Sequence, residues 1–188
     1  MDDSHGYNFR GGKRAHYARK HGVFHKIGEN VFIQSKFLPI YSELISFGNN
    51  IVIARAVDFC THDVTHEVLN RLPEEERKYL RFKEKVGCIE ILDNVFVGSN
   101  SVILYNTRIG PNVIIGSGSV VTRDWEPNSV YAGVPAKKIG SYEEFMAKRI
   151  EQEENQTIAT TTHHQNLTQE DIEIAWKIFY QSRGRLSE

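Results

Sequence analysis

Between residues 91 and 121 an aliphatic residue recurs at every sixth position without a break. The series is Ile91, Val97, Ile103, Ile109, Ile115 and Val121. A second series shares this register and consists of residues that form turns and tolerate a left-handed backbone. It comprises Asn94, Asn100, Asn106, Asn112, Gly118 and Asp124. Helices repeat about every 3.6 residues and strands every two, so neither alone produces this spacing. A chain that turns a corner after each short strand produces this six-residue spacing.

The repeat predicts a mainly β fold, a parallel β-helix. Three hexads close one triangular coil, and the next coil stacks on it about 4.8 Å away. Ile91 then lies under Ile109, and Ile103 lies under Val121. A weaker form of the repeat runs from residue 27 to residue 59. Together the two stretches predict about five coils, and a β-sandwich of short strands is the alternative fold.

The repeat also divides the chain into three parts. These are an N-terminal segment (1–26), the β-helix (27–140) and a C-terminal helical extension (141–188). The register is lost between residues 59 and 91, which predicts a projecting loop over residues 65–85. We expect the N-terminal segment to be irregular, with a short helix around residues 13–20. Capping residues at Ser141 and Thr168 predict two helices. The first is expected to cap the last coil and the second to pack against a partner subunit.

Composition restricts the classes of function. The chain has 23 Lys and Arg against 24 Asp and Glu, which disfavours a nucleic-acid binder that depends on phosphate contacts. It has only two cysteines, Cys60 and Cys88, too few for a disulfide scaffold or a four-cysteine zinc site. No apolar run is long enough for a transmembrane segment. The acidic, polar start lacks the pattern of a secretory signal, so we expect a cytoplasmic protein.

His62 is the histidine best placed for chemistry. It fills the corner position of the hexad that begins at Phe59, where the chain leaves the coil. Because a corner side chain points away from the interior and imidazole titrates near neutral pH, His62 is a candidate general base. An ordinary polar corner is the alternative. A zinc site containing His62 and His66 is a second alternative, which requires a third ligand from elsewhere.

Small and cationic residues gather at the far end of the repeat. Gly116 and Gly118 flank Ser117, and small residues let a slender ligand approach the backbone. Arg123 and the Lys137–Lys138 pair carry charges that bind phosphates well. Glycines required by the corners and ordinary surface lysines are the alternative interpretation.

The run from Ile91 to Asp124, with the later stretch Gly133-Val-Pro-Ala-Lys137, resembles the hexapeptide-repeat acetyltransferases. The similarity is greatest to the galactoside and maltose acetyltransferase and polysaccharide O-acetyltransferase branches. The segment ending Phe59-Cys-Thr-His-Asp63 resembles the one that carries the family's catalytic histidine, which favours His62 over His66. The resemblance implies a left-handed β-helix, a homotrimer, and acetyl-CoA bound between neighbouring subunits.

The resemblance also implies roles for particular residues. His62 is expected to take the proton of the acceptor hydroxyl, with Asp63 and His66 orienting the acceptor or the imidazole. The implied CoA contacts are Ser99, Ser117, Thr122, Arg123 and Lys137, with Lys138 in place of an arginine that Gly140 replaces. The expected acceptor is a sugar or polysaccharide precursor, and no metal is expected. Three alternatives are open: N-acetylation of an amino sugar or sugar nucleotide, a γ-carbonic-anhydrase-like metal enzyme, and a non-catalytic sugar-nucleotide-binding or scaffold protein.

Overall fold

The structure, a computed structural model, describes residues 6–35, 38–161 and 166–184. In chain order the elements are α1 (Gly6–Lys20), β1 (Lys26–Ile27), β2 (Val31–Ile33), a 3₁₀ turn (Ser42–Leu44), β3 (Ile45–Phe47), β4 (Ile51–Ile53), β5 (Asp58–Cys60), β6 (His62–Asp63), α2 (His66–Leu69), β7 (Lys85–Val86), β8 (Ile89–Ile91), β9 (Val95–Val97), β10 (Val102–Leu104), β11 (Thr107–Ile109), β12 (Val113–Ile115), β13 (Val120–Val121), β14 (Ser129–Ala132), β15 (Lys137–Ser141), α3 (Tyr142–Glu154) and α4 (Gln169–Gln181).

The strands stack into three parallel faces. Face A contains β1, β3, β8 and β11, face B contains β2, β4, β9, β12 and β14, and face C contains β5, β10 and β13. From β3 to β13, apart from the separate β6–β7 pair, successive strands visit faces A, B and C in turn, so the chain winds as a coil. Ile91 pairs with Ile109, and Ile103 pairs with Val121, in the register that the six-residue spacing predicts.

The repeated aliphatic residues fill the interior, and the repeated asparagines form the corners. Ile91, Ile103 and Ile109 are fully buried. The corner residues Asn94 and Asn112 have φ of 60° and 56°, a left-handed conformation that asparagine tolerates better than most residues. Asn94 Nδ2 donates to Asn112 Oδ1 at 2.8 Å. The same bond joins Asn50 to Asn94 and Asn112 to Asn128, so four corners form one amide ladder.

The N-terminal segment differs from its prediction, because α1 runs over 15 residues rather than a short stretch. Ala15 and Ala18 of this helix are buried in the core. Gly11 lies so close to the coil that an added Cβ would overlap the ring of Phe32. Packing therefore overrides the low helix propensity of the two adjacent glycines, Gly11 and Gly12.

The helix expected to cap the last coil, α3, lies beside β14 and β15 but buries none of its residues. It does begin at the predicted capping box on Ser141. Inside the last coil the ring of Trp125 stacks on Tyr131 at 4.0 Å, and both side chains are buried. Aromatic rings therefore fill this end of the coil.

The second C-terminal helix, α4, begins at the predicted cap, where Thr168 and Asp171 form a capping box. Ile172, Trp176 and Phe179 are exposed on it, so its packing against a partner subunit stays a prediction. Of the helices in the described parts of the chain, none has the length and apolar character needed to cross a membrane.

Candidate active site

The chain leaves the coil at His62. Cys60 pairs with Leu104 on face C, so His62 occupies the corner that Asn106 occupies in the adjacent coil. Instead of continuing the coil, β6 turns outward and pairs antiparallel with β7, which brings His62 opposite Val86. The coil resumes where the Gly87 amide donates to the Thr61 carbonyl at 2.9 Å. We call residues 62–86 the excursion; it begins and ends at one corner.

The imidazole of His62 lies between the excursion and the segment before β3. Its side chain is 23% exposed, and its ring meets Tyr41 edge-on with the centroids 5.4 Å apart. Nε2 stands 3.9 Å from Oε1 of Glu84. Nδ1 is buried and has no hydrogen-bond partner among the described residues. Nε2 is therefore the nitrogen that faces the carboxylate.

Tyr41 and Glu84 were missed by the sequence analysis. The Tyr41 hydroxyl donates to Glu84 Oε2 at 2.9 Å. This bond and the carboxylate charge raise the pKa of Tyr41, which keeps the hydroxyl protonated as a donor. The two residues are 43 positions apart, and neither belongs to the repeat. Nothing periodic in the sequence could have associated them with His62.

Asp63 is held on the coil side of the excursion. Its Oδ1 accepts from the Thr65 hydroxyl at 2.6 Å, and its Oδ2 accepts from the Tyr105 hydroxyl at 2.6 Å. The side-chain bond from Thr65, the bond from Tyr105 and a backbone bond from Thr65 lower the pKa of Asp63 to about 2. Asp63 is thus ionised throughout the physiological range. Its described bonds go to these neighbours rather than to the His62 ring.

His66 is the first residue of α2, four residues after the excursion begins at His62. Its Nε2 lies 3.3 Å from Oε1 of Glu67, and its side chain is 18% exposed. Its Nδ1 is buried and, like that of His62, has no hydrogen-bond partner among the described residues. Within those residues no three His, Cys, Asp or Glu side chains are grouped as they would be around a metal ion.

The residues expected to contact CoA lie along two edges of the coil. Thr122 and Arg123 follow β13, which stacks on β10 and so shares with His62 the corner after face C. Ser99 and Ser117 lie at the corner before face C, where the Gly118 amide donates to the Ser99 carbonyl at 2.8 Å. Face C separates the two edges, so a single chain does not bring His62 and the serines together.

The two lysines lie near the end of the serine edge. In the hairpin of β14 and β15, Lys137 pairs with Ala132 and Lys138 pairs with Tyr131. Ala132 stacks on Gly116, whose added Cβ would stand 3.0 Å from the alanine Cβ. Both lysines are exposed, and Lys138 Nζ lies 3.7 Å from Glu126 Oε2. Lys137 therefore extends the edge that carries Ser99 and Ser117.

Comparison with known proteins assigns this coil to a family. Residues 89–123 match the bacterial transferase hexapeptide model, which consists of six repeats. The chain is 40% identical over 133 residues to the protein CapG of Staphylococcus aureus, covering 67% of this chain and 73% of CapG. The chain belongs to the hexapeptide-repeat transferase family.

Other members of the hexapeptide-repeat transferases extend the comparison. The galactoside O-acetyltransferase of Escherichia coli is 33% identical over 115 residues, covering 60% of this chain and 52% of that protein. The chain thus spans about half the length of this curated relative. The structure of a galactoside acetyltransferase in complex with coenzyme A aligns with a TM-score of 0.50 and 25% identity, covering 78% of this chain and 86% of that one. These relationships imply that the coil is a left-handed β-helix.

Proposed function

We propose that this chain is an acetyl-CoA-dependent O-acetyltransferase that modifies a hydroxyl of a sugar or polysaccharide precursor. The observation that carries the proposal is the partly exposed His62 at a corner of the coil, with Nε2 3.9 Å from Oε1 of Glu84. The relationship to galactoside O-acetyltransferases supports acetyl-CoA as the co-substrate and a sugar as the acceptor.

In the proposed reaction His62 is the general base. Nε2 takes the proton of the acceptor hydroxyl as the hydroxyl oxygen attacks the thioester carbon. The new C–O bond forms, the C–S bond breaks, and the proton passes from the imidazolium to the departing CoA sulfur. A backbone amide from an adjacent coil or subunit holds the developing oxyanion. No covalent acyl-enzyme is required.

The separation of the two edges supports a site shared between subunits of a homotrimer. Ser99 and Ser117 of one subunit would bind the pantetheine arm opposite His62 of its neighbour. Lys137 extends the serine edge and would meet the nucleotide phosphates as a cation. Lys138, Thr122 and Arg123 would contact the far part of CoA. Ser117 and Gly118 are both exposed on the serine edge. Their small size supports this arrangement, because it lets a slender ligand approach the backbone.

A thiol-release assay tests the proposed function. Purified protein is incubated with acetyl-CoA and a panel of sugars, sugar nucleotides and small amines. We expect turnover with a hydroxyl acceptor, and His62→Ala should lower kcat about 10²–10⁴-fold while CoA affinity stays close to that of the wild type. His16→Ala, which changes an exposed histidine of α1, is the matched control. An active His62→Ala protein would refute the assignment of the base, and turnover of amines alone would favour N-acetylation.

A further inference from the structure

The candidate site brings together two hydrogen-bond acceptors from different residues, one on His62 and one on Glu84. His62 Nε2 and Glu84 Oε1 are 3.9 Å apart, too far for a direct hydrogen bond, which spans about 2.7–3.2 Å. The two side chains are 23% and 30% exposed, so solvent or a substrate reaches both. In the state that accepts a proton, Nε2 carries a lone pair, and the carboxylate oxygen accepts hydrogen bonds as well. Two neighbouring donors on one molecule match such a pair.

Glu84 is fixed in this orientation by its other oxygen. Oε2 accepts the Tyr41 hydroxyl at 2.9 Å, and the Tyr41 ring also packs edge-on against His62. The Tyr41 side chain therefore contacts both the Glu84 carboxylate and the His62 imidazole and fixes their relative positions. The β6–β7 pairing supports the same arrangement from the backbone, because Glu84 directly precedes β7 and His62 begins β6. A carboxylate held in this way is already ordered before the substrate binds. Less conformational entropy is therefore lost on binding, which favours a tight hydrogen bond.

We propose that Glu84 binds the hydroxyl adjacent to the one that is acetylated, so that the site selects a vicinal diol of an uncharged sugar. The reacting hydroxyl donates to His62 Nε2 and its neighbour donates to Glu84 Oε1. This inference rests on the proposed function and adds the acceptor class to it. The charge of Glu84 disfavours an anionic group beside the reacting hydroxyl, since two like charges at short range repel.

A substrate-by-mutation cycle tests the role of Glu84. Two acceptors are compared: a neutral sugar that the wild type acetylates, and the analogue that lacks the hydroxyl next to the reacting one. The wild type should prefer the diol in kcat/KM by about 10–100-fold, the range expected for a hydrogen bond to a charged group. Glu84→Ala should lose most of this preference by slowing the diol reaction while the rate with the deoxy analogue changes little.

The conservative variant and a matched control separate binding from structure. Glu84→Gln keeps a neutral acceptor oxygen, so its preference should fall between those of the wild type and Glu84→Ala. Glu75→Gln alters an exposed carboxylate elsewhere in the excursion and should leave both rates unchanged. If Glu84→Ala slows both acceptors by the same factor, or if the wild type does not discriminate between them, the inference is wrong. Absence of thiol release with every acceptor would instead reject the proposed function, and this inference with it.

Discussion

The coil from residue 89 to residue 132 and the excursion from residue 62 to residue 86 are built on opposite principles. The coil buries a continuous row of aliphatic side chains in its interior. Its fully buried members are Ile89, Ile91, Val97, Ile103, Ile109, Val113, Ile115 and Val121. In the excursion no residue is buried. The first region gains stability from removing apolar surface from water, and the second depends on individual polar contacts.

Those polar contacts converge on a few residues of the excursion. Asn70 and Phe82 exchange two hydrogen bonds of 2.9 Å, which close the outer part of the loop. Asp63 and Glu84 anchor its two ends to tyrosines outside it. The coil therefore determines whether the chain folds, whereas the excursion determines what surrounds His62. Substitutions in the two regions should therefore affect different measurements.

The largest effect on stability should come from the coil. Ile109→Ala leaves a cavity at a fully buried position and should lower the free energy of unfolding by about 2–5 kcal/mol. Val68→Ala, at a side chain in the excursion that is 65% exposed, should change it by less than about 0.5 kcal/mol. Urea denaturation at a fixed protein concentration measures both. Equal losses in the two variants would refute the division of roles.

This division also explains how much the sequence could predict. Each coil repeats the same hexad pattern, so spacing alone could assign Ile109 to the interior and Asn112 to a corner. The position of His62 followed from the same register. Its neighbours did not, because Tyr41 and Glu84 meet across 43 residues and obey no period. The length of α1 was missed for a related reason, since Gly11 is explained by a contact with Phe32 of the coil rather than by local propensity.

A smaller loss should follow from breaking the corner ladder. Asn94→Ala removes the amide that links two coils and leaves alanine at φ 60°, so it should cost about 1–3 kcal/mol of unfolding free energy. Asn94→Gly keeps the backbone conformation accessible and should cost less. Asn100→Ala alters a corner at the same φ outside this ladder. The difference between the two alanine variants, measured by urea denaturation, isolates the ladder, and the absence of a difference would show that backbone preference alone matters.

The smallest effect should be confined to the base of the excursion. The Asp63 pKa falls from the ordinary 3.8 to about 2, so its bonds contribute stability that is complete above the ordinary value and is lost as the pH falls toward 2. Tyr105→Phe removes one donor, which should raise the Asp63 pKa, so the loss should still begin near pH 3.8 but should be smaller and complete at a higher pH. The Thr65 bonds, the largest cause of the lowered pKa, persist, so the pKa should stay below 3.8.

An NMR titration of the Asp63 carboxyl carbon measures the shift, and Tyr79→Phe, at an exposed tyrosine of the excursion, is the control. A titration that is the same in Tyr105→Phe and wild type would mean that this hydroxyl does not tie the excursion to the coil. The base of the excursion would then depend on its own local turn, and the orientation of His62 would have to come from Tyr41 and Glu84.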